Sequence, residues 1–75
     1  MQVRINLMGS LKVKAPANNV VELSEGATID DLLQALDIDP ASLQTVMVNS
    51  KPEKDRGRVI ASGDEFTLLP PVAGG

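Results

Sequence analysis

The sequence predicts an α+β fold, a mixed sheet of four to five strands with one main helix packed on one face. Three observations predict it. Polar and apolar residues alternate over residues 2–7, 44–49 and 65–69, the period of half-buried strands. One segment carries the helical period instead, with Ile29, Leu32, Leu33 and Leu36 at i, i+3, i+4 and i+7. Strand segments flank it on both sides, so a single helix must serve the whole sheet.

Gln2 to Leu7 places Val3, Ile5 and Leu7 on one face and Gln2, Arg4 and Asn6 on the other. Gly9-Ser10 breaks or bends this first strand, and Pro16 to Asn19 is a loop rich in turn formers. Val20 to Ser24 is the second strand, with Val21 and Leu23 inward, and the two most simply form a hairpin. After a turn at Glu25-Gly26, Thr28 caps the helix and Asp31 completes an S/T-x-x-D/E pattern. Asp30 and Asp31 suit the positive helix N-terminus. Pro40 is expected to stop the helix, with Asp39 before it forced out of helical geometry. Gln44 to Asn49 is the third strand, with Val46 and Val48 inward. Ser50 to Gly57 is expected as a charged loop and Arg58 to Ile60 as a short additional strand. Ser62-Gly63-Asp64 is a turn, and Glu65 to Leu69 the last strand, with Phe66 and Leu68 inward. Pro70-Pro71 takes the chain out of the sheet. The division is a domain over 1–69 and a flexible C-terminal tail over 70–75.

At 75 residues this is one small domain, and with no Cys and no His neither a disulfide nor the usual structural zinc site can support it. The core must be aliphatic packing. A net charge of −3 and a single aromatic residue argue against nucleic-acid binding. No apolar run approaches the ~18 residues of a membrane span. Arg4, Asn6 and Lys12 interrupt any signal-peptide pattern, so the expected compartment is the cytoplasm.

The usual reactive side chains are missing, since the chain has no Cys, His, Trp or Tyr. This makes the carboxylate of Gly75 the leading reactive group. Pro70 and Pro71 stiffen the base of the tail by fixing φ, and Val72, Ala73, Gly74 and Gly75 make a slim tip. Six extended residues reach at most ~20 Å. The shape suits insertion of a terminal carboxylate into another protein's active site. A Gly-Gly doublet arises by chance in roughly one chain in 200, so alone it identifies nothing.

With its context the ending is more specific. Gly63-Asp64-Glu65-Phe66 followed by Leu68-Leu69-Pro70-Pro71-Val72-Ala73-Gly74-Gly75, with Val48-Asn49, Ser24-Glu25-Gly26-Ala27-Thr28, Leu32-Leu33 and Val3-Arg4-Ile5, resembles the MoaD/ThiS family of ubiquitin-like sulfur carriers over the whole chain. The Pro-Pro-Val run is closer to the MoaD side, the small subunit of molybdopterin synthase. Residues 7–12, Ser50 and Ser62 depart from the usual family residues. The resemblance implies the β-grasp fold over residues 1–69, and a protein that is not itself an enzyme. It implies that an ATP-dependent adenylating enzyme of the MoeB/ThiF kind activates Gly75. A sulfurtransferase or other persulfide donor then converts it to a thiocarboxylate. A MoaE-like large subunit would use that sulfur on a pterin precursor of molybdenum or tungsten cofactor. The carrier would bind no cofactor of its own; ATP belongs to the activating enzyme. The alternatives are a ThiS-like carrier for thiamine thiazole synthesis, a ubiquitin-like modifier conjugated through Gly75, or a binding module with an incidental tail.

Met8, Met47 and Leu69 fall on the outer sheet face, where adaptable methionines suit a docking patch. Asp30/Asp31 and Asp37/Asp39 read as caps and solvated carboxylates rather than a metal or acid–base pair. Lys51, Lys54, Arg56 and Arg58 alternate with Glu53 and Asp55, the pattern of a solvated loop.

Overall fold

The computed structural model describes residues 1–71. Strands β1 (Gln2–Leu7), β2 (Val20–Glu22), β3 (Thr45–Val48), β4 (Lys51–Glu53) and β5 (Glu65–Leu69) form one sheet in the order β2-β1-β5-β3-β4. The central pair β1–β5 is parallel and the others are antiparallel. One α-helix, α1 (Ile29–Ala35), supplies the crossover. Short 3-10 turns cover Gly9–Lys14, Ala17–Asn19 and Pro40–Ser42.

Register explains the core. Phe66 lies between Ile5 on β1 and Val48 on β3, and Leu68 between Leu7 and Val46. These inner-face residues pack into one cluster with Ile29, Leu32, Leu33 and Leu36 of the helix. Phe66, Leu68, Ile29 and Leu32 are each fully buried. The alternation in β1, β3 and β5 and the helical stripe all meet on this one face, as the sequence pattern requires.

The helix begins as expected. The Asp31 N–H donates to Thr28 Oγ1 at 3.3 Å, and the Thr28 N–H donates to Asp31 Oδ2 at 2.9 Å. Two further orphan donors of the first turn are satisfied from outside: the Ile29 N–H reaches the Arg58 carbonyl at 3.1 Å and the Asp30 N–H the Arg56 carbonyl at 3.0 Å. The helix ends earlier than Pro40. Asp37 takes a left-handed φ of 57°. Its N–H returns to the Gln34 carbonyl and the Ile38 N–H to the Leu33 carbonyl, which closes a Schellman end with Ile38 buried against the core. Asp39 then caps the 3-10 turn that Pro40 opens, accepting from the Ala41 N–H at 2.9 Å.

The fifth strand is also not where the sequence suggests. Asn49 and Ser50 have φ of 52° and 71°, the pair of left-handed residues that a two-residue type I′ hairpin needs. They fold Lys51–Glu53 back on β3, with Lys51 opposite Val48 and Glu53 opposite Val46. Pro52 is tolerated because β4 is an edge strand. The segment 58–60 makes only an isolated bridge, Thr28 to Val59, although Ile60 is buried and its N–H donates to the Ala27 carbonyl at 2.8 Å.

Candidate functional site

The site to be built is the point where β5 hands over to the tail. β5 is the middle strand of the sheet, so its direction is fixed from both sides. The Met8 N–H donates to the Leu68 carbonyl at 3.1 Å, and the Gln44 N–H to the Leu69 carbonyl at 2.8 Å. Its start is fixed as well. Asp64 is the buried charged side chain of the described residues, 8 % exposed. One of its oxygens accepts from Asn49 Nδ2 at 2.9 Å and the other from the Ala61 N–H at 2.9 Å. Asn49 in turn accepts from the Glu65 N–H at 3.0 Å. Arg58 Nη2 lies 3.8 Å from the same Asp64 carboxylate and offsets its charge. A buried charge is tolerated only with such partners.

After Leu69, Pro70 is half-buried and Pro71 exposed. Pro70 sits against Gly9. A side-chain carbon on Gly9 would lie 3.1 Å from Pro70 Cγ, and Gly9 has a φ of +55°. Only glycine meets both conditions without strain. Gly9→Ala is therefore expected to lower stability by about 1–2 kcal/mol from backbone strain alone, a fall of roughly 4–15 °C in Tm for a domain of this size. It should also displace the base of the tail. Thermal unfolding with the NMR shifts of Leu69 and Pro70 checks it; an unchanged Tm and unchanged shifts would contradict the packing.

The outer face holds the other sequence-nominated residues. Leu69 is level with Thr45, and Met47 with Thr67 on β5 and Pro52 on β4. Leu69 and Met47 are therefore diagonal neighbours on adjacent strands, within reach of long side chains. Both are half-buried. Met8 follows β1 beside Leu69 and is 42 % exposed. The structure thus brings Met8, Leu69 and Met47 onto one face at the end of the sheet from which the tail departs. Val72, Ala73, Gly74 and Gly75 lie outside the described residues, as does most of the expected division at 70–75.

Sequence reasoning missed the Asn49–Asp64 pairing. The signal available was two polar residues flanking strands whose inner positions are apolar. Among the described residues no group of three or more His, Cys, Asp or Glu is placed to hold a metal ion, and no helix is long and apolar enough to cross a membrane.

The family model described as the ThiS family matches residues 5–75. Two crystal structures of SAMP1, small archaeal modifier protein 1, from Haloferax volcanii superpose with TM-scores of 0.73. They are 27% and 25% identical in sequence and cover 100% and 95% of this chain, and 100% and 98% of their own. A complex of subunits 1 and 2 of molybdopterin-converting factor from Helicobacter pylori 26695 contains a chain with TM-score 0.63 and 22% identity, covering 100% of both chains. That identity is low enough to carry the fold alone. No curated protein matches. The five-stranded mixed sheet with one helix is the β-grasp fold of these structures.

Proposed function

The chain belongs to the ThiS family, and from that premise we propose that it is a sulfur carrier whose chemistry takes place at the Gly75 carboxyl group. The observation that carries the reading is where the tail begins. The central strand of a β-grasp sheet is held from one side at the Leu68 carbonyl and from the other at the Leu69 carbonyl, and the next residues in the sequence are Pro70-Pro71-Val72-Ala73-Gly74-Gly75.

A free carboxylate is a poor acyl donor. An adenylating enzyme of the MoeB/ThiF kind joins it to ATP with release of pyrophosphate, giving an acyl-adenylate. The terminal sulfur of a persulfide donor attacks the acyl carbon and AMP leaves with the bonding electrons. A thiol then reduces the acyl disulfide, leaving the thiocarboxylate. No side chain of the carrier need act as acid, base or nucleophile, which accords with a sequence free of Cys and His. The chain is a co-substrate rather than a catalyst. Its sulfur goes to a pterin precursor, and a MoaE-like large subunit holds that acceptor. The Pro70-Pro71-Val72 run, closer to the MoaD side of the family than to the ThiS side, supports this choice.

A second reading rests on the SAMP1 likeness, where the relative is named a modifier. There the same acyl-adenylate passes to a lysine of another protein. A thiazole-forming acceptor, as in ThiS-type carriers, is a third destination for the same thiocarboxylate.

ATP–pyrophosphate exchange by a MoeB/ThiF-type enzyme, measured with and without this chain, tests the shared first step. Exchange dependent on the chain supports the reading, and none at saturating chain counts against it. Docking is proposed to use Met8, Met47 and Leu69. Met47→Asp should then weaken binding to the adenylating enzyme by about tenfold or more. The fold should survive, because position 47 faces away from the core. Calorimetry reads the affinity and unfolding the stability; unaltered affinity, or loss of the fold, contradicts the assignment.

A further inference from the structure

The segment 51–58 has no part in the chemistry above. It holds four of the chain's seven basic side chains and only two of its ten acidic ones, although the whole chain has a net charge of −3. Both acids are turned into the segment's own framework. Glu53 Oε2 accepts from the Asp55 N–H at 3.3 Å and Glu53 Oε1 lies 3.6 Å from Arg58 Nε. Asp55 Oδ1 accepts from the Gly57 N–H at 2.9 Å. The Arg56 and Arg58 carbonyls are held by the first N–H groups of α1. The segment is thus braced internally and fastened to the helix. Lys51, Lys54 and Arg56 are exposed and make no ion pair among the described residues.

Where β4 ends, a groove of about 200 Å³ opens, lined by Leu43, Val46, Pro52, Glu53, Lys54 and Arg56. The Glu53 carboxylate there is engaged by Arg58 and the Asp55 N–H, whereas Lys54 and Arg56 have no ion-pair partner among the described residues. Small-molecule sites usually measure ~300–1,000 Å³; this one is sized for a side chain of another protein. Val46 stands opposite Glu53 in the β3–β4 register and belongs to the core cluster, against which Leu43 also packs, so the groove opens at the β4 edge on the core side of the sheet.

We propose that this groove docks a segment of a partner protein that inserts one apolar side chain and presents carboxylates to Lys54 and Arg56. Charge complementarity selects the occupant. Two copies meeting groove to groove would set like charges together. Single-stranded nucleic acid needs exposed stacking surfaces, and the chain's one aromatic ring, Phe66, is fully buried. The braced framework means little ordering is needed on binding, and the exposed cations make association dependent on salt. The proposal stands whatever the fate of Gly75.

The test is an NMR titration of the full chain with a capped six-residue peptide of alternating leucine and glutamate. Its leucine–glutamine counterpart, a short single-stranded oligonucleotide and inorganic phosphate are titrated in parallel. The acidic peptide is expected to shift the amides of Gln44, Thr45, Val46 and Lys54, and to bind about tenfold or more tightly than the leucine–glutamine peptide. The paired changes Lys54→Glu and Arg56→Glu should reverse that preference while the remaining spectrum stays in place; single Lys54→Ala and Arg56→Ala changes read the same effect should the pair misfold. Absence of shifts here would overturn the proposal. So would equal binding of the uncharged peptide, preferential binding of the oligonucleotide or phosphate, or the same shifts arising from self-association on concentration.

Discussion

Deleting Gly75 is expected to reduce chain-dependent ATP–pyrophosphate exchange by about 100-fold or more while leaving the fold intact. The magnitude follows from reach. Removing one extended residue withdraws the terminal carboxylate by ~3.3–3.6 Å, whereas a reacting carboxylate must come within ~3–3.5 Å of its partner atom, and a misplacement of about 1 Å already costs on the order of 100-fold. Stability should not follow, because the last core residue of the described chain is Leu68. Exchange kinetics beside a urea unfolding curve separates the two effects. A truncated chain that exchanges at the original rate would remove Gly75 from the mechanism.

The second large effect concerns the body that aims the tail. Phe66 is fully buried and sits between Ile5 and Val48 at the centre of the sheet. Phe66→Ala is expected to cost about 3–5 kcal/mol. A domain of this length has roughly 4–11 kcal/mol in all, so the variant should be marginal or unfolded at 37 °C. The chain has no disulfide to compensate. Phe66→Leu, which keeps most of the volume, should retain the fold. Urea unfolding of both variants checks this, and an Ala variant with the original midpoint would show that the core is not organised around this ring.

Much of this body was legible in the residues. β1, β3 and β5 alternate because one sheet face is covered and the other is not. The helix start was legible because Thr28 and Asp31 form a capping box from local chemistry alone. What escaped depends on backbone conformations that side-chain periodicity does not carry. β4 has no apolar alternation: Lys51-Pro52-Glu53 is a strand because left-handed Asn49 and Ser50 turn it back on β3. The helix ends at Asp37 rather than Pro40 because burial of Ile38 closes a Schellman end. Ile60 is inward through a single bridge beside the helix cap rather than through a strand.

The site was legible in a different way. The tail was nominated by elimination and by its small residues, and residues 72–75 lie outside the described chain. The structure adds how the tail begins. The end of β5 is held from both sides, the Leu68 carbonyl by the Met8 N–H and the Leu69 carbonyl by the Gln44 N–H, and Pro70 rests on a left-handed Gly9 that has no side chain to push it away. Periodicity cannot announce such a contact between residues 61 positions apart in the chain. The Asn49–Asp64 pairing escaped for the same reason, since it joins the end of β3 to the start of β5.

The most direct measurement is the intact mass of the chain after incubation with a MoeB/ThiF-type enzyme, ATP, a persulfide donor and a reducing thiol, with fragmentation to locate any change. Sulfur carriage predicts the mass change of one oxygen replaced by sulfur, confined to Gly75. An unchanged mass while pyrophosphate exchange is active would contradict it, and so would lysine adducts bearing the Gly74-Gly75 remnant in place of the sulfur-bearing species.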